Sequence, residues 1–168
     1  WAVQLPANKR EKGLSTLSSG NMAQAVGYVA NMFGVPSRAI IPDSTPKSKI
    51  DACKRYGMEI VLLPMETLFD YLENIPEDRC FLHPFEEYML LEGHGTLGLE
   101  IMEDAPDTDT IYVPLGVGFL GAGVALAAKA LKPSVRVVGV NSVNYPHFYE
   151  SIKQGKPVEV ERRPTLAD

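Results

Sequence analysis

Cysteine, histidine and concentrated positive charge are all scarce in this sequence, and each scarcity removes a class of function. The two cysteines, Cys53 and Cys80, are too few for a disulfide framework and form no metal-type cluster. The three histidines, His83, His94 and His147, include no pair at ligand spacing, and none stands beside a serine or cysteine in a nucleophile arrangement. Each reads as a structural or surface side chain. No apolar run approaches the roughly 20 residues that a membrane helix requires. Sixteen lysines and arginines face 21 acidic residues, for a net charge of −5, and the basic runs are only Lys9-Arg10-Glu11-Lys12 and Glu161-Arg162-Arg163. Nucleic-acid binders need a concentrated basic face, so neither nucleic acid nor membrane is expected as a partner. A reducing, cytoplasmic location is expected instead. Repeats and low-complexity stretches are absent too, and the chain opens at Trp1, so its true N-terminus is expected to lie upstream.

What is present is apolar strand alternating with amphipathic helix. With 168 residues, 45% of them apolar, the chain can build a sizeable core. Strands are read at 14–18, 38–41, 59–63, 79–82, 110–115 and 135–140, and helices near 22–33, 46–57, 67–74, 96–103, 118–131 and 147–154. In the first long helix Met22, Ala25, Val26, Val29, Ala30 and Phe33 share one face, with Met32 also assigned to the core. Gly34 and Pro36 stop that helix. Strands separated by helices of this length imply an α/β fold of parallel β–α–β units. A polar, glutamate-rich bridge at 86–92 divides two lobes, 1–90 and 91–168.

Two turns carry the chemistry, each placed where a strand ends and a helix begins. They are Ser18-Ser19-Gly20-Asn21 and Gly116-Val117-Gly118-Phe119-Leu120-Gly121. The first N–H groups of a helix lack intrahelical partners and sit at the positive end of its dipole, so either turn suits an anion. Both also have plainer readings. Serine and asparagine are favoured helix caps, so the first turn can be no more than a helix start. The second matches the G-x-G-x-x-G dinucleotide fingerprint. Yet the next strand ends at Gly139-Val140-Asn141-Ser142, with no acidic residue for a ribose.

Taken in order, four blocks resemble the fold-type-II pyridoxal-phosphate (PLP) enzymes that include threonine dehydratase, serine dehydratase and serine racemase. They are Leu17-Ser18-Ser19-Gly20-Asn21-Met22-Ala23-Gln24-Ala25; Ile41-Pro42-Asp43-Ser44-Thr45-Pro46-Lys47, leading to Arg55-Tyr56-Gly57-Met58-Glu59-Ile60; His83-Pro84-Phe85 with Gly93-His94-Gly95-Thr96-Leu97-Gly98; and Val113-Pro114-Leu115-Gly116-Val117-Gly118-Phe119-Leu120 with Lys129-Ala130-Leu131-Lys132-Pro133. The closing Pro164-Thr165-Leu166-Ala167-Asp168 is also similar to a family segment. The resemblance implies a tryptophan synthase β-like fold cut at both ends, a small asparagine-loop lobe, and part of a large phosphate-binding lobe. It implies that Asn21 bonds the cofactor's ring hydroxyl and that Ser18, Ser19, Gly20 and Asn21 hold the substrate carboxylate. Gly116, Val117, Gly118, Phe119 and Leu120 would cradle the cofactor phosphate, and Ser19 falls where racemases carry a second acid/base group. The implied activity is elimination of ammonia from serine or threonine to give a 2-oxo acid, with racemisation open, in a homodimer.

The sequence also departs from that family. The Schiff-base lysine belongs to a segment just before the position of Trp1, and none of Lys9, Lys12, Lys47, Lys49 or Lys54 has a matching context. A chain of this extent is expected to be inactive alone. Met22 replaces a histidine, the family's run of glycines is broken by Val117 and Phe119, and Asn141 replaces a metal-binding glutamate, so no divalent cation is expected. Two other readings stay open at this point: a non-catalytic module that binds amino acids or anions, and an NAD(P)-binding oxidoreductase resting on the glycine run alone.

Overall fold

Strand β1, Leu14–Leu17, is where the first half of the chain is assembled. In this computed structural model, which describes residues 1–161 and 163–165, the chain divides into two compact units, Trp1–Glu87 and Tyr88–Asp168. Arg162 and the last three residues of the closing sequence block lie outside the described residues. In the first unit β1 pairs in parallel with β2, Ser37–Pro42, on one side and with β4, Cys80–Leu82, on the other. Beyond β2 lies β3, Glu59–Leu63, giving the order β3-β2-β1-β4. A parallel strand inside a sheet covered on both faces reads as a continuous apolar run. Ala39, Ile40 and Ile41 are accordingly fully buried, and each isoleucine side chain removed from water contributes about 1.5–3 kcal/mol.

Helix α2, Asn21–Phe33, buries Ala23, Val26, Gly27 and Ala30. The buried face is therefore rotated from the one read in the sequence: Ala25 is exposed and Met32 is 68% exposed. The reason is a close approach. A Cβ at Gly27 would lie 2.6 Å from Met58 Sδ, so the small residues turn inward and the long ones outward. Gly34 ends the helix in the left-handed region at φ 64°, as the Gly-Pro spacing predicts. Helix α3, Lys47–Arg55, and α4, Leu68–Glu73, complete the crossovers, the latter entered through a 3-10 turn at Met65–Thr67. The four-residue helix α1, Ala7–Arg10, was not foreseen; it brings the Arg10 guanidinium 4.1 Å over the Phe33 ring.

The second unit contains α5, Tyr88–Asp104; β5, Thr110–Pro114; α6, Phe119–Leu131; β6, Arg136–Val140; and α7, His147–Gln154. Strands β5 and β6 pair in parallel, and Met102, Ile111, Val113, Val124, Ala128 and Val135 form the core beneath them. Helix α5 corrects the sequence reading, which placed a bridge at 86–92 and a helix only from 96. Gly95 looks like a breaker in isolation, but packing overrides propensity. Where α5 crosses α6, a Cβ on Gly98 would come within 2.8 Å of the Val124 carbonyl oxygen. One on Gly123 would meet the Leu91 carbonyl at 2.6 Å and the Gly95 nitrogen at 2.8 Å. The two helices touch backbone to backbone, which only glycine permits. Burial beside this crossing pushes the His94 imidazole below the ordinary histidine range.

At the amino ends of the first unit's strands, two arginines bridge neighbouring carboxylates. Arg38 Nη2 and Nη1 reach Asp78 at 2.8 and 3.1 Å, Arg38 Nε lies 3.1 Å from Glu59, and Arg79 Nη2 lies 2.7 Å from Glu59. Hydrogen bonding from Arg38 holds the Asp78 carboxyl below its usual range. Burial alone would raise Glu59, but hydrogen bonds and charge from Arg38 and Arg79 outweigh it and lower that carboxyl too.

Two outcomes are expected from these contacts. Gly123→Val should destabilise the protein by about 2–3 kcal/mol through overpacking, read as a shifted midpoint in urea unfolding. Groups with depressed folded pKa values stabilise above their unfolded values and lose that contribution as pH falls. The stability advantage of the native protein over Arg38→Gln should therefore be full near neutral pH and shrink below about pH 4. Urea unfolding across that range checks this, and a pH-independent difference would refute it.

Candidate functional site

Strand order places the first turn. β2 and β3 extend the sheet to one side of β1 and β4 pairs on the other, so the direction of strand order reverses at β1. Open parallel sheets bind ligands beyond the carboxyl ends of their strands at such a reversal. Thr16, fully buried, ties the two strands together there by donating its hydroxyl to the Leu82 carbonyl at 2.9 Å. Its role was not read from the sequence, where a threonine inside an apolar strand carries no signal.

Ser18-Ser19-Gly20-Asn21 follows β1 directly. The Ser18 N–H donates to the Ile40 carbonyl at 3.0 Å and so extends the ladder, while its hydroxyl accepts the Gly20 N–H at 3.2 Å. Gly20 is the N-cap of α2, and no side chain caps this helix. The turn is a helix start, as its plainer reading has it, but without a serine or asparagine side-chain cap. Among the described residues no protein group accepts from the N–H of Asn21, Met22 or Ala23. The Asn21 side chain is exposed and makes no hydrogen bond among the described residues, while Ser19 and Gly20 are half-buried. Across the reversal, the loop after β4 is fixed by His83, whose Nδ1 accepts the Phe85 N–H at 3.2 Å. In a neutral ring that leaves the proton on Nε2.

In the second unit the glycine turn joins β5 to α6. The Leu115 N–H donates to Val140 at 2.9 Å, and Asn141 Nδ2 donates to the Leu115 carbonyl at 2.9 Å. The start of the turn is thus tied to the carboxyl end of β6. Gly118, the N-cap of α6, has φ 104°, and a Cβ there would lie 2.6 Å from Phe148 Cζ. Val117 and Phe119 do not take positive φ, so their β-carbons cost the turn nothing in backbone strain. The first helical bond runs from the Ala122 N–H to the Gly118 carbonyl at 2.9 Å. Among the described residues, the N–H groups of Gly116, Val117, Gly118, Phe119, Leu120 and Gly121 have no acceptor. No acidic side chain occupies the turn.

His147 and Phe148, at the start of α7, also reach this turn: His147 Nε2 lies 3.0 Å from the Gly116 carbonyl oxygen. The sequence held no sign of this, because 31 residues separate the pair. A cavity of about 1000 Å³ runs alongside, bounded by Leu115, Val140, Phe148 and Ile152 among others. Its walls are mainly apolar, and Gly118 and Gly121 of the turn, with Asn141, Ser142 and Lys153, also line it. Three lysines are committed elsewhere: Lys47 pairs with Asp51 at 2.8 Å, Lys129 donates to the Val135 carbonyl, and Lys132 to those of Pro106 and Thr108. Both turns can therefore hold an anion through unpartnered backbone N–H groups, each reinforced by a 13-residue helix.

The family described as pyridoxal-phosphate dependent enzyme matches residues 2–168. An L-threonine ammonia-lyase of Thermotoga maritima is 38% identical over 99% of this chain and 42% of its own length. A serine racemase of Oryza sativa is 36% identical over 98% of this chain and 50% of its own length. The solved structure of maize serine racemase superposes with a TM-score of 0.84 at 34% identity, covering 93% of this chain and 49% of that one. The chain thus spans about half the length of the relatives it matches. Parallel α/β topology, helix-opening turns at strand ends, and a match across nearly every residue lead to one conclusion: the chain belongs to the pyridoxal-phosphate dependent enzyme family.

Proposed function

We propose that the protein is a PLP-dependent ammonia-lyase that converts serine or threonine to a 2-oxo acid and ammonia, the water lost with the β-hydroxyl being taken up again on hydrolysis. The observation that carries this is the glycine turn, whose run of unpartnered N–H groups opens α6 and fits a phosphate dianion. Similarity to threonine ammonia-lyase and serine racemase supports the substrate class. When bound, the cofactor supplies an electron sink for negative charge at the substrate's α-carbon.

The remaining work falls to the chain's own groups. Backbone N–H groups of Gly116, Val117, Gly118, Phe119 and Leu120 hold the phosphate, and the left-handed Gly118 lets them converge. In the first unit, Ser18, Ser19, Gly20 and Asn21 hold the substrate carboxylate, and the Asn21 amide bonds the ring hydroxyl. Ser19 Oγ, with no hydrogen bond among the described residues, is free to move a proton, which leaves racemisation open as a second outcome. No helix among the described residues is long and apolar enough to cross a membrane. We place the protein in the cytoplasm as a homodimer acting on a free amino acid, the arrangement the family resemblance implies.

The test uses the protein purified at its natural length. Borohydride reduction should attach one pyridoxyl group to a lysine, seen by mass spectrometry, and serine or threonine should yield a 2-oxo acid. Neither adduct nor product would sink the proposal. Gly118→Ala combines an unfavourable left-handed φ with a clash against Phe148, a cost of about 1–3 kcal/mol at the turn. It should weaken PLP binding by about tenfold or more in equilibrium titration of the apo-protein.

A further inference from the structure

We infer that His147, braced by Tyr145 and Phe148, is a positioning residue that clamps the glycine turn and aims its Val117 N–H at the bound phosphate. This rests on the reading of that turn as the phosphate cradle.

The geometry starts from the Gly116 carbonyl, which can only accept. His147 Nε2, 3.0 Å away, donates to it in the tautomer that carries the ring proton there. The other ring nitrogen, Nδ1, then carries no proton and lies 3.2 Å from the Tyr145 carbonyl as a contact, not a hydrogen bond. Tilted ring contacts hold it further: the Tyr145 ring centroid lies 4.5 Å away and that of Phe148 4.7 Å. The segment carrying these rings is itself tied down. The Ser142 hydroxyl accepts the Asn144 N–H at 3.2 Å, and the Ser142 carbonyl accepts the Tyr145 N–H at 3.0 Å.

What the clamp does follows from the peptide plane. In a trans peptide the C=O of one residue and the N–H of the next point in opposite directions. Holding the Gly116 carbonyl toward α7 turns the Val117 N–H away from α7, among the donors left without acceptors. Phe148 acts one peptide further on. Its ring covers the space a Cβ at Gly118 would fill, so it packs on the glycine whose φ of 104° sets the turn. A freely rotating surface histidine would leave the peptide between Gly116 and Val117 able to flip, and a flipped peptide would present a carbonyl to the phosphate. Repulsion there would oppose binding where attraction is needed.

The experiment compares His147→Ala and His147→Gln in the apo-protein at its natural length, titrated with PLP and, separately, with pyridoxal, which lacks the phosphate. Glutamine carries an N–H donor near the place of Nε2; alanine carries none. His147→Ala should bind PLP about tenfold more weakly, as expected for a lost hydrogen bond plus a misdirected donor, with pyridoxal affinity changed less than about twofold. His147→Gln should recover most of the PLP affinity, and the phosphorus NMR shift of bound PLP should move in the alanine variant alone. Unchanged PLP affinity in His147→Ala would overturn the inference. So would an equal loss for PLP and pyridoxal, which marks general damage, or failure of glutamine to recover. If the unsubstituted protein binds no PLP, the functional reading itself falls, a result distinct from any of these.

Discussion

A crossing of two helices in which backbone meets backbone governs the second unit. Without side chains at Gly98 and Gly123, α5 seats directly on α6, and α6 is then held rigidly above β5 and β6. The position of the turn that opens α6 is a consequence of that seating. Glycine is a poor helix former, losing about 1 kcal/mol relative to alanine in a helix interior. The helices accept that loss because the contact offsets it with packing no larger residue could make. Precision at the turn is thus derived from residues that do not touch it.

The first unit separates its duties along the strand direction. At the amino ends, Arg38 and Arg79 knit β2, β3 and the approach to β4 through Glu59 and Asp78. At the carboxyl end, the turn after β1 is left with donors and few partners. Charges that stabilise the sheet therefore stand away from the edge where an anion would be received. Both units reach the same physical solution, a strand feeding a helix whose first N–H groups are unspent, although their sheets differ in size and order.

Much of this was legible in the sequence because it is local. β3 and α7 lie where the periodicity and the flanking glycines put them, and Gly34 ends α2 as its spacing with Pro36 requires. Both turns stood out as strand-to-helix junctions rich in glycine and serine, although each also had a plainer reading. What failed was decided by contacts distant in sequence. The face of α2 was misjudged because Gly27 packs on Met58, and half of α5 was missed because Gly95 is a breaker only when nothing lies against it. Thr16 and His147 were invisible for the same reason: each acts on a carbonyl far along the chain. No rule of spacing announces such a partner.

Val117 and Phe119 bear on the turn in a way that concerns the unfolded chain. This turn keeps glycine at 116, 118 and 121 and places β-carbons between them, at backbone angles an ordinary residue accepts. A glycine replaced without strain lowers the conformational entropy of the disordered state, a gain of about 0.4–1 kcal/mol per position. The turn therefore has fewer shapes to abandon when it orders, and less of the attraction toward a ligand is consumed in choosing one. A more glycine-rich loop would match an anion by adapting to it; this one would meet it with its shape already chosen.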